Sequence, residues 1–166
     1  MIIVGSGHRR IGIGMTLALA ILGAGELRGQ GTASGDLVAT IQGSKNYTVF
    51  ARLLGVAHLA PALQGPARFT VFAPTDSAFA KVPKPRLAAL EADTVQLKKV
   101  LLRHIVSNAI PANKALGLRS ARTLGGSKVE FSVRDARLHV NNAVIIHPDI
   151  IASNGLIHGI DAVMIP

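Results

Sequence analysis

The sharpest change of hydrophobic pattern along the chain falls at Phe69-Thr70-Val71-Phe72-Ala73-Pro74-Thr75-Asp76-Ser77-Ala78-Phe79. Apolar side chains occupy nearly every position up to Ala73, which predicts a strand buried on both faces. Pro74 ends that ladder. Thr75 is placed to cap a helix through its hydroxyl, Asp76 sets a carboxylate at the helix's positive end, and Phe79 returns to the core. Upstream the period is helical. Asp36 caps a short helix carrying Leu37, Val38 and Ile41, and Gly43-Ser44 ends it. Asn46 caps a second, in which Tyr47, Phe50, Leu53 and Leu54 recur at helical spacing. Leu59 to Leu63 adds a short turn before Gly65-Pro66.

Downstream, Pro85 opens a helix with Leu87 and Leu90 on one side, and Asp93-Thr94-Val95-Gln96 has the form of a capping box. Leu97, Val100, Leu101, His104 and Ile105 then build one apolar stripe, with Lys98, Lys99 and Arg103 outward. His104 is therefore expected in the core, hydrogen-bonded to backbone or a hydroxyl. The second half changes to period two. Lys128 to Val133 and Leu138-His139-Val140 alternate about a turn at Arg134-Asp135-Ala136-Arg137, and Val144-Ile145-Ile146 continues as a strand after Asn141-Asn142. Helices first and hairpins after predict an α+β fold, with an N-terminal helical layer packed on a mostly antiparallel β-wedge or small barrel.

Composition sharpens this picture in three ways. With 166 residues and 49% hydrophobic content the chain can bury one sizeable core. Cysteine and tryptophan are absent, so packing must hold the fold without disulfides, and no thiol nucleophile exists. Aromatics make up only 4%, which leaves few stacking platforms for single-stranded nucleic acid.

The N-terminus carries a basic cluster, His8-Arg9-Arg10, followed by an apolar run from Ile11 to Ala24 that is short for a membrane span. Residues 1–28 read as a secretion signal and the start of a linker, with cleavage after Gly25 or near Ala33, or retention as an uncleaved anchor. The glycine-rich stretch 29–35 reads as linker, and 36–166 as the domain. The expected location is exported, periplasmic or extracellular. The net charge is +9, and losing the signal leaves the domain strongly basic, with Arg119, Arg122, Lys128, Arg134 and Arg137 gathered in one part. Such a surface serves solubility or holds anionic polysaccharide or a membrane. Export disfavours a nucleic-acid partner.

The Phe69–Phe79 run resembles the first signature block of the fasciclin-like family, F-T-V-F-A-P-T-(D/N)-x-A-F. Ala152-Ser153-Asn154-Gly155-Leu156-Ile157-His158-Gly159-Ile160-Asp161-Ala162-Val163-Met164-Ile165-Pro166 resembles its second, A-S-N-G-x-I-H-x-I-D-x-V-L-x-P. The resemblance covers about 34–166 and implies the same helix-over-β-wedge architecture. It also implies a non-catalytic module adhering to a cell surface, matrix or partner protein. In the family His104 looks like the histidine of a Tyr-His pair linked to integrin-dependent adhesion in some animal members. Arg103 stands where the tyrosine would be, and His147-Pro148-Asp149-Ile150 carries His147 in place of an acidic residue, so integrin-type adhesion is not expected.

Enzymatic motifs are missing: there is no Gly-x-Ser-x-Gly elbow, phosphate-cradling glycine loop or His-Glu-x-x-His helix. His139, His147, Asp149, His158 and Asp161 could converge as metal ligands. The resemblance instead gives His158 and Asp161 to the fold, so neither metal nor cofactor is expected. The structural set is Phe69, Phe72, Pro74, Thr75, Asp76, Phe79, His104, Asn154, Gly155, His158 and Asp161. Asn46-Tyr47-Thr48 also fits the glycosylation pattern, against the helix-cap reading of Asn46. Gly155 is expected to need a backbone conformation that a Cβ would resist. A carrier of a small apolar ligand or lipid is the alternative function, since a helix layer over a β-wedge can enclose a pocket.

Overall fold

A computed structural model describes residues 35–165. The segment read as a secretion signal and nearly all of the linker lie outside the described residues. The helical part comprises α1 (Leu37–Gln42), α2 (Thr48–Val56) and α3 (Ala60–Leu63), then, after β1 (Phe69–Pro74), α4 (Asp76–Ala80), α5 (Lys84–Ala92) and α6 (Thr94–Arg103). The remainder is β2 (Ile105–Ser107), α7 (Ala112–Ala115), β3 (Ser120–Arg122), β4 (Lys128–Arg134), β5 (Arg137–Val140), β6 (Ala143–Ala152) and β7 (Gly155–Ile160).

The strands form one seven-stranded sheet in the order β2-β1-β7-β6-β5-β4-β3. Only β1 and β7 run parallel; the other pairs are antiparallel. Val106 bridges to Thr123, which draws β2 toward the β3 end and nearly closes the sheet into a barrel. The expected α+β class and β-wedge or small barrel are what the chain adopts.

Two apolar cores follow from this curl. Val71, Ala73 and Ile157 face the helices and meet Leu37, Ile41, Phe50, Leu53, Leu54, Leu97 and Leu101. Phe72 and Ile160 face the barrel interior with Val129, Phe131, Val140 and Ile145. The nearly unbroken apolar run of β1 thus has a physical reason: each face of the strand feeds a different core.

Local signals explain most element ends. Asp36 accepts from Ala39 N at 2.7 Å, and Asp93 accepts from Val95 N and Gln96 N at 3.0 Å. Asp135 and Ala136, at φ 50° and 58°, form the two-residue turn between β4 and β5, and Gly126 sits at φ 81° in the turn before β4.

Four expectations need correction. Asn46 does not cap α2; Tyr47 holds the N-cap position with no side-chain bond, and the cap arrives from a distant residue described below. The apolar stripe of α6 overruns the helix, which stops at Arg103, because His104 N bonds back to the carbonyls of Leu101 and Leu102 and Ile105 pairs with Val71. The strand expected at Val144-Ile145-Ile146 runs through to Ala152, with register shifts around His147 that accommodate Pro148 and the positive φ of Asp149. Gly155 lies outside the left-handed region, so its requirement is one of space and not of dihedral angle.

Candidate functional site

The two signature segments meet as neighbouring central strands. Phe69 pairs with Gly155, Phe72 with His158 and Pro74 with Ile160. A Cβ at Gly155 would run into the carbonyl oxygen of Phe69, so glycine is what lets the parallel strands start in register. Phe72 stacks on the His158 imidazole at 5.5 Å between ring centroids and meets Phe131 at 5.9 Å. Phe79 is buried against the helical core.

Around this pair the polar side chains of Asn154, Asp76 and Asp161 tie backbone that is remote in sequence, and Thr75 caps locally. Asn154 accepts from Leu37 N at 2.8 Å and donates to Leu63 O at 2.6 Å and Gly65 O at 3.2 Å, so one amide fixes the start of α1 and the end of α3. Thr75 accepts from Ala78 N, starting α4. Asp76 accepts from Val49 N at 2.9 Å and Thr48 Oγ1 at 2.7 Å; its carboxylate serves the first turn of α2 and supplies the cap that Asn46 does not. Asp161 accepts from Val144 N at 2.7 Å, joining the end of β7 to β6, and its backbone carbonyl accepts from Lys81 Nζ at 2.8 Å.

The two buried histidines are each held by backbone on both ring nitrogens. His104 Nδ1 donates to Val100 O at 2.8 Å, while Nε2 accepts from Met164 N at 3.0 Å, which fixes a neutral tautomer and docks the C-terminal segment. Burial holds its pKa down to about 4, the Val100 carbonyl opposing and the nearby Arg103 charge reinforcing. His158 Nε2 donates to Ile110 O at 2.8 Å and Nδ1 accepts from Asp149 N at 3.1 Å. Burial lowers its pKa too, against the opposing pull of the Ile110 carbonyl and the Asp149 charge.

The histidines and aspartates weighed as metal ligands have other neighbours. Asp149 meets His158 through its backbone N–H, and Asp149 Oδ1 accepts from Ala112 N. His139 lies on β5 opposite Ser132 and Val144. Among the described residues no three His, Cys, Asp or Glu side chains are grouped to hold a metal ion.

Two features escaped sequence reasoning. Thr70, fully buried, donates to Asn108 O at 2.7 Å and accepts from Ile110 N at 2.8 Å; a hydroxyl inside an apolar strand was the available signal. Tyr47 is buried with its hydroxyl against Gly159 and without a hydrogen bond.

Two stability predictions arise from these contacts. Asp76→Ala unpairs the Val49 amide and the Thr48 hydroxyl and is expected to cost about 1–2 kcal/mol, read in denaturant titrations. An unchanged midpoint would show that solvent replaces the carboxylate without loss. Tyr47→Phe removes an unpaired buried hydroxyl and keeps the ring, so the melting temperature is expected to hold or rise. A fall of several degrees would reveal a partner for that hydroxyl.

A family model described as Fasciclin domain matches residues 45–166. Uncharacterized protein sll1735 of Synechocystis is 33% identical over 130 residues, spanning 78% of this chain and 97% of that one. Protein sll1483 of the same organism is 35% identical over 132 residues, 78% of this chain and 73% of that one. Transforming growth factor-beta-induced protein ig-h3 of Sus scrofa is 29% identical across 81% of this chain, which spans only 20% of its length. Among solved structures, a FAS1 domain pair from the insect cell adhesion molecule Fasciclin I superposes with a TM-score of 0.69 at 18% identity, covering 82% of this chain and 52% of that one, and so shares the fold. The two signature segments, the sheet they centre and the matched family model agree: this chain belongs to the Fasciclin domain family.

Proposed function

We propose that the chain is an exported, non-catalytic binding module that adheres to a cell surface, extracellular matrix or partner protein. The observation that carries this reading is the use of the buried and half-buried polar groups. Asp76, His104, Asn154 and His158 are engaged by backbone, so they brace a scaffold and recognition falls to the outer surface. The shared fold with a domain pair from an insect cell adhesion molecule supports the same reading. Among the described residues no helix is long and apolar enough to cross a membrane.

The carrier alternative draws less support. The apolar gap lined by Phe50, Leu53, Phe79, Leu97, Leu101 and His104 has a volume of about 10 Å³, room for one water at most. An apolar ligand would have to part α5 and α6 from the core.

The test is fractionation of cells producing the full chain or a variant lacking residues 1–28, followed by cross-linking of the exported protein and identification of what is attached. The full chain should leave the cytosol with a surface or matrix component, and the variant should stay inside. Full-length protein retained in the cytosol would overturn export. Exported protein recovered without any attached component would overturn adhesion.

A further inference from the structure

Alternation along β4 places Val129, Phe131 and Val133 on one face and Lys128, Glu130, Ser132 and Arg134 on the other. The strand register adds to that second face. Arg122 of β3 stands directly opposite Lys128, and Arg137 of β5 directly opposite Arg134. Like charges facing each other across a ladder destabilise it, and here the arrangement occurs at both ends of the same strand. None of these four cations is ion-paired among the described residues, and neither is Arg119 beside them. The carboxylates nearby are Glu130, midway along β4, and Asp135, in the turn that follows it.

Two open depressions flank Glu130 and Asn141. One, of about 300 Å³, is bounded by Arg103, Lys128 and Asn142. The other, of about 310 Å³, is bounded by Arg119, Ser120, Ser132 and Arg134. Cations thus stand at each end of a furrow whose middle offers amide and hydroxyl groups beside the single carboxylate of Glu130. At about 3.4 Å per residue, Lys128 and Arg134 are roughly 20 Å apart, farther than one small anion spans.

We propose that this outer face of β3, β4 and β5 binds a linear acidic polysaccharide, its carboxylate or sulfate groups meeting the paired cations at either end and its hydroxyls meeting the amides and serines between. A polymer with anions spaced along its length supplies the charge that both like-charge pairs lack. The face holds no Phe, Tyr or Trp side chain on which a nucleic-acid base could stack, because Phe131 points into the barrel, and its one imidazole, His139 opposite Ser132, is half-buried. The exposed apolar residue of β4, Val133, lies on the opposite face and gives a bilayer nothing to take up here. The assignment rests on the export reading, since it makes an extracellular polymer the partner.

The test measures binding of the purified chain to dextran sulfate, hyaluronate, neutral dextran, single-stranded DNA and phosphatidylglycerol vesicles. The acidic polysaccharides should bind and the neutral one should not, with affinity falling steeply between about 50 and 200 mM salt. Arg122→Gln with Arg134→Gln should weaken polysaccharide binding at least about tenfold without lowering the melting temperature, because it relieves both like-charge pairs. Lys98→Gln with Lys99→Gln, equal in charge but on α6, should change affinity no more than about twofold. Equal losses in both double variants, tighter binding to DNA or vesicles, or no polysaccharide binding would each overturn the proposal. Because binding is read on purified protein, its failure is separable from a failure of export, which fractionation reads.

Discussion

Gly155→Ala is expected to destabilise the domain by at least about 3 kcal/mol, enough to leave much of the protein unfolded or insoluble. The new methyl group meets the carbonyl oxygen of Phe69, and Leu37 Cδ1 lies 3.1 Å from it. A flexible side chain could swing away, but this oxygen belongs to the first residue of a central strand. Relief would require β1 and β7 to separate where their register begins. Gly55→Ala is the matched control, because nothing lies within 4 Å of its added carbon and the site is helical. That variant should gain about 0.5–1 kcal/mol. Comparable melting temperatures for the two variants would mean that β1 and β7 are not in contact at Gly155.

Acid is expected to have the second large effect. His104 titrates near 6.5 when exposed and near 4 when folded, so below about pH 6.5 the unfolded chain takes up a proton that the native state refuses. Its contribution is intact above pH 6.5 and is lost as pH falls toward 4, by about 3 kcal/mol in all. His158, also lowered by burial, acts with the same sign. Denaturant titrations across that range should show the loss. His104→Gln should start lower at pH 7, through an imperfect replacement for the bonds to Val100 and Met164, and then decline less steeply. Parallel curves for the two proteins would exclude His104 as the source.

What could be read from sequence was the local chemistry. Thr75 caps α4, Asp36 and Asp93 cap their helices, and the alternation about Asp135-Ala136 made its hairpin, because each signal acts within a few residues. His104 could be placed in the core from its position in an apolar stripe, but the tautomer and the Met164 bond depend on a segment 60 residues later. The cap of α2 was misplaced for a similar reason: Asn46 has the right chemistry but lies one residue before the N-cap, and Asp76 reaches the first turn from beyond the end of β1. The cationic residues of β3, β4 and β5 were visible as a cluster. Their face-to-face pairing required the register between strands, which one-dimensional spacing does not contain.

The parallel pairing of residues 69–74 with 155–160 also governs when the molecule can assemble. During synthesis the first partner emerges from the ribosome long before the second, and until then its only strand neighbour is the short β2. Closing so long a loop makes folding slow and late. If the chain is exported as proposed, that delay has a use: the translocation machinery would meet an unfolded, threadable polypeptide, and the last strand would lock the barrel only on the far side.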